Sequence, residues 1–194
     1  MSRPTRDLLI DAAEDLLDTG GIEAVTLREV GRRSGVSHNA PYKHFASKEA
    51  LLAAIATREL RRRRDRLDTA LTGTEAPELV LRRALRQYAE WAQEYPHRFR
   101  LIYGRWTIHD DDLAEAAHAA SGQLIAAVRA AQADGALPAG DPERLMALLR
   151  ALAHGAADLA LAGHLSPDGK GHADATDLVD DLFDHLAALG PPSP

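Results

Sequence analysis

Between Ser37 and His44 the chain gathers Ser37, His38, Asn39, Tyr42, Lys43 and His44, hydrogen-bonding side chains of the kind that reach base edges and phosphate oxygens. A second concentration lies further on. Tyr88, Trp91, Tyr95, Phe99, Tyr103 and Trp106 are six of the nine aromatic residues and fall within nineteen positions; such a cluster can serve as core, as ligand pocket or as interface. His109, Asp110, Asp111, Asp112, Glu115 and His118 could be drawn as a hard-metal site. Three aspartates before an alanine-rich helix, however, are better explained as an N-cap with acidic residues favoured by the helix dipole. The nine histidines show no H-E-x-x-H spacing, and neither a Gly-rich phosphate loop nor a nucleophile elbow occurs. With no cysteine there is no thiolate ligand or nucleophile. The residues call for no enzyme, no metal and no cofactor.

The elements that position these groups are all helical, because apolar residues recur at helical spacing and no alternating β-branched stretch appears. Leu9, Ala13, Leu16 and Leu17 predict helix one over about Arg6 to Thr19, stopped by Gly20-Gly21. Thr26-Leu27-Arg28-Glu29 has the form of a capping box, with the Thr hydroxyl and the Glu carboxylate each satisfying a free backbone N–H at the start of helix two, Leu27 to Ser34. Gly35 suits a tight turn, and Ser37 is a good N-cap for helix three, which ends at Phe45 and, because of Pro41, begins at Ser37 or His38. Two short helices joined by a glycine-containing turn make a helix-turn-helix, with Val36, Ala40 and Phe45 toward the core. Ser47 caps a long helix four that ends near Thr72-Gly73. Five further helices follow, the sixth opened by Pro96 and the ninth carrying a stripe of Leu178, Val179, Leu182, Phe183 and Leu186 opposite Asp177, Asp180, Asp181 and Asp184. The fold class is all-α, about nine helices. The expected division is a DNA-binding domain over 1–50, a helical ligand-binding and dimerisation domain over 51–190, and a disordered tail over 191–194.

The formal charge of −6 over 194 residues argues at first against a polyanionic partner, but it is a sum of unlike parts. Residues 1–66 carry 13 Lys and Arg against 10 Asp and Glu, and the remainder 10 against 19. The basic part contains the helix-turn-helix. Within it, Arg61 to Arg64 are four consecutive residues that point in all directions around a helix, and a solvated face is the expected reading. No run of about 18 apolar residues suggests a membrane span, and no secretory leader is seen, so a cytoplasmic protein without a membrane partner is expected.

The stretch Thr26 to Leu52, TLREVGRRSGVSHNAPYKHFASKEALL, resembles the N-terminal domain of TetR-type transcriptional regulators, whose pattern runs Thr-Leu-Arg-x-Ile/Val, Gly-Val-Ser, Tyr-x-His-Phe and Ser-Lys-Glu-x-Leu-Leu. The resemblance is dense over residues 6–56. His154-Gly155, with Pro41-Tyr42, is similar to a subgroup named for a Trp-His-Gly motif, although Arg150 stands about where that Trp is expected. Gly31 departs from the alanine usual in the family. The resemblance implies that Thr26, Arg28, Tyr42, His44 and Lys48 meet phosphate, that Ser37, His38 and Asn39 read bases, and that Lys43 does either. It implies a cavity among helices four to seven for a small, mostly apolar effector, with Tyr88, Trp91, Phe99, Tyr103 and Trp106 as aromatic candidates and His154 and Asp158 as polar ones. Helices eight and nine, rich in small residues and apolar stripes, would form a homodimer interface that presents two reading heads to a palindromic double-stranded DNA operator. The function implied is a repressor released by the effector. An effector-independent or protein-regulated DNA-binding regulator is the alternative, with a metal-dependent helical enzyme as a remoter one.

Overall fold

The computed structural model describes residues 3–188, and the expected tail at 191–194 lies outside them. Among the described residues there are nine helices: α1 Thr5–Ala24, α2 Leu27–Ser34, α3 Ala40–His44, α4 Lys48–Leu71, α5 Pro77–Glu94, α6 Pro96–Tyr103, α7 Asp111–Ala133, α8 Pro142–Leu161 and α9 Ala175–Ala188. None is long and apolar enough to cross a membrane. The all-α expectation holds, and helical dihedrals in α1 break at Gly21 (φ 69°), where the glycine pair predicts a stop.

The chain forms two compact units. The first is the chain up to Arg62 together with Tyr95–His118. It therefore takes in residues 1–50, the first part of α4 and all of α6. Leu9, Ile10, Ala13 and Leu17 of α1 enclose its core with Val25, Val30, Phe45, Leu51, Ile55 and Leu101. Beside this core runs a chain of charges. Glu14, only 6% exposed, accepts from Arg58 at 2.8 Å, and Arg98 of α6 grips Asp18 at 2.6 and 2.8 Å and reaches Glu59 at 3.4 Å. Burial works against the Arg58 and Arg98 charges, but facing carboxylates outweigh it and both guanidinium pKa values are raised, Arg58 by Glu14 and Asp11, Arg98 by Asp18, Glu14 and Glu59. These pairs tie α6 to α1 and α4 within the unit.

The second unit comprises Arg63–Glu94 and the chain from Ala119 onward. Here α5, α8 and α9 pack on one another, small residues such as Ala89, Ala156 and Ala175 permitting close approach. Part of the acidic face of α9 is used internally. Arg82 donates to Asp180 and to Asp184, each at 2.7 Å, and Arg86 also pairs with Asp180. Arg150, at the subgroup's Trp position, donates to the Ser121 hydroxyl of α7 at 3.0 Å.

Candidate nucleic-acid interface

Thr26 is extended (φ −132°, ψ 148°), and its hydroxyl accepts from the Glu29 N–H at 3.2 Å, capping α2. Only half of the capping box forms. The Glu29 carboxylate turns away from the Thr26 backbone and takes Arg32 at 2.6 and 2.9 Å, a bidentate charge-assisted pair that is stronger than a single bond to a neutral amide. That guanidinium is the main reason the Glu29 carboxyl lies below its usual range. The acid in the first turn of α2 is thereby neutralised. Gly35 ends α2 in the left-handed conformation (φ 68°, ψ 16°) that the turn into α3 requires.

The third helix begins later than its sequence pattern predicts. A helix opening at Ser37 would need the N–H of residue 41 to bond the Ser37 carbonyl, and Pro41 has none. The Ser37 carbonyl instead accepts from the Ala40 N–H at 2.9 Å, closing a tight turn. Asn39 then stands at the N-cap without a capping side-chain bond. Ser37, His38 and Asn39 thus project from a turn that leads into a five-residue helix.

The division between the faces is sharp. Val36, Ala40 and Phe45 pack inward, the last two buried, while Ser37, His38, Asn39, Lys43 and His44 are exposed and Tyr42 is 55% exposed. The His38 and Tyr42 rings meet edge to face, 6.3 Å between centroids. Thr26, Arg28, Gly31, Val36 and His38 line a groove of about 530 Å³ with Glu29 and Arg32. Ser47 caps α4 by accepting from Ala50 N–H at 3.1 Å. Lys48 follows at the helix N-terminus, its ammonium 3.8 Å from a Glu23 carboxylate that is almost wholly in solvent. Gly31 has a structural reason. A Cβ there would stand 2.8 Å from Pro41 Cγ, so the glycine lets α3 lie against α2.

The other candidate residues are divided between the two units. In the second unit the Tyr88 hydroxyl lies 2.7 Å from His154 Nδ1, and Tyr88 stacks with Trp91 at 6.4 Å between centroids. Asp158, further along α8, is exposed. In the first unit Phe99 and Tyr103 are in ring contact at 5.6 Å, and Trp106 packs on the hydrophobic core. Asp110 caps α7 by accepting from the Leu113 N–H at 2.9 Å. Among the described residues no three His, Asp or Glu side chains are grouped to hold a metal ion.

Comparison with known proteins agrees with this arrangement. A family model described as bacterial regulatory proteins, tetR family, matches residues 9–55, and one described as a tetracyclin repressor-like C-terminal domain matches residues 81–188, more than half of the chain. The chain belongs to the TetR family. It is 38% identical over 65 residues to tetracycline repressor protein class D of Escherichia coli, a match covering 34% of this chain and 30% of that repressor. The match thus spans less than a third of that curated relative's length. A solved structure of a protein of unknown function from Rhodococcus sp. RHA1 superposes with TM-score 0.82 at 30% identity, covering 97% of this chain and 96% of that one. SmeT, the repressor of the Stenotrophomonas maltophilia multidrug efflux pump SmeDEF, superposes with TM-score 0.68 at 25% identity, covering 97% and 91%.

Two features of this TetR-family chain escape a reading of periodicity. The Glu14–Arg58–Arg98–Asp18 network joins residues up to 84 positions apart; its one local signal is a glutamate placed directly after Ala13 among the core positions of α1. Arg63 is the second. Counted in the sequence as part of a solvated run, its guanidinium lies over both the Tyr88 and Trp91 rings.

Proposed function

We propose that the chain is a dimeric, sequence-specific DNA-binding repressor whose operator affinity falls when a small, mostly apolar molecule binds its helical body. The observation that carries the reading is the exposed, acid-free face made by Ser37, His38, Asn39, Tyr42, Lys43 and His44 over a buried Ala40–Phe45 underside. Ser37, His38 and Asn39 read base edges, Asn39 being able to pair bidentately with adenine. Thr26, Arg28, Tyr42, His44 and Lys48 bind phosphate, Lys48 aided by the free amides of a helix N-terminus, and Lys43 serves either role. On α8, Leu148 is 63% and Leu159 45% exposed, with Ala147 and Ala151, and Ala162 just past its end, also exposed. An apolar face of this kind supports pairing of α8 and α9 with a second copy. The proposed effector residues are Tyr88, Trp91, His154 and Asp158 in the second unit and Phe99, Tyr103 and Trp106 in the first, and effector binding acts by favouring one of two head spacings.

The test is anisotropy titration of DNA from the protein's own promoter region. Tyr42→Ala should weaken binding across sequences, and Asn39→Ala should relax preference at one base pair, each by about 1–3 kcal/mol. Parent-like binding by both variants would refute α3 as the reader.

A further inference from the structure

The four consecutive arginines of α4 meet four different surroundings. Arg61 pairs with Asp112, Arg62 with Glu14 and Arg64 with Asp65. Arg63 has no carboxylate within ion-pair distance among the described residues. Its guanidinium carbon lies 4.7 Å from the ring centre of Tyr88 and 4.7 Å from that of Trp91, and its Nη1 is shut off from solvent with no hydrogen-bond acceptor among the described residues. The acids adjacent to it on α4 are already engaged: Glu59 by Arg62 and Arg98, and Asp65 by Arg64. The Tyr88 hydroxyl is in hydrogen-bond contact with His154.

A guanidinium keeps its charge at any pH at which a protein folds. Aromatic faces attract that charge but supply no lone pair in line with an N–H bond, so a buried Nη1 keeps most of its unmet demand for an acceptor. What satisfies it must bring an acceptor into apolar, aromatic surroundings. A single negative charge fits best, since Arg62 and Arg64 are already paired and a dianion would carry one charge too many out of water. We infer that Arg63 anchors the effector through a carboxylate, carried on an apolar body that packs against Tyr88 and Trp91. This rests on the effector-responsive function proposed above and adds the chemical class of the effector.

The test uses two acid and amide pairs on the full chain, 1-naphthoate with 1-naphthamide and decanoate with decanamide, by isothermal titration and by release of fluorescent promoter DNA. Each acid should bind roughly tenfold more tightly than its amide, because a carboxylate meets the guanidinium with a full opposite charge and an amide carbonyl only with a dipole. Arg63→Gln should abolish the acid's advantage, weakening the acid far more than the amide. Arg63→Lys should keep part of the preference, with unchanged helical circular dichroism showing that both variants are folded. Equal binding of acid and amide by the parent, or an acid preference that survives Arg63→Gln, overturns the role of Arg63 while amide-driven DNA release keeps the effector reading. Failure of all four compounds to bind overturns both.

Discussion

Replacing Gly31 with alanine sets two effects of opposite sign against each other. Alanine is better than glycine in a helix interior by about 1 kcal/mol, so on propensity alone Gly31→Ala should stabilise α2. The added Cβ, however, would lie 2.8 Å from Pro41 Cγ and 3.4 Å from its Cδ, where carbon atoms prefer about 3.5–4.0 Å. A pyrrolidine ring cannot swing aside, so α3 must move by several tenths of an ångström, and such overpacking costs about 1–3 kcal/mol. The net expectation is a loss of up to about 2 kcal/mol in the parent. With Pro41→Ala already in place the obstacle is gone, and Gly31→Ala should then stabilise by about 1 kcal/mol. Urea unfolding of the parent, the two single variants and the double variant reads the coupling directly, provided the m-values agree. Stabilisation by Gly31→Ala in both backgrounds would refute the claim that Gly31 exists to admit Pro41.

Two further outcomes follow from burial. Arg98→Met strands Glu59 and Asp18 beside the core of the first unit; it should cost about 3–5 kcal/mol in urea unfolding, as expected when one partner of a buried pair is removed, and Arg98→Met with Glu59→Gln should recover part of that loss. A loss below 1 kcal/mol for the single variant would show the network to be dispensable. Leu148→Glu places a charge on the exposed face of α8, so light scattering should report a monomer at micromolar concentration with unchanged helical circular dichroism and a lower melting temperature, whereas an intact dimer would move the proposed interface elsewhere.

The helices and their order were legible because core positions recur at helical spacing and because Thr26, Ser47 and Asp110 cap as their residue types predict. What was not legible came from competition. Glu29 had two available partners, and its neighbour's guanidinium displaced the backbone amide. The late start of α3 turns on one absent N–H at Pro41 whose effect reaches four residues back to Ser37. Among the candidate effector residues, the boundary between the two compact units falls between Glu94 and Tyr95, inside an aromatic run that is continuous in sequence. Arg63 is indistinguishable in type from its neighbours, and only its position on the α4 surface separates it from them.

Most of the cations in the basic first third of the chain are already spoken for. Arg3, Arg32, Arg58, Arg62 and Arg64 each hold a carboxylate within hydrogen-bonding range or close to it, and Arg6 lies over the Phe45 ring. On the proposed reading head this leaves Arg28 and Lys43, without a carboxylate among the described residues, and Lys48, loosely held by an exposed glutamate. Two heads would then displace counterions from about six phosphates, giving a slope of log K against log salt of about −5. The thirteen basic residues among positions 1–66 of each chain, taken at face value, would suggest a far steeper dependence. The protein's grip on nucleic acid is thus set by which arginines its own acids have left unclaimed.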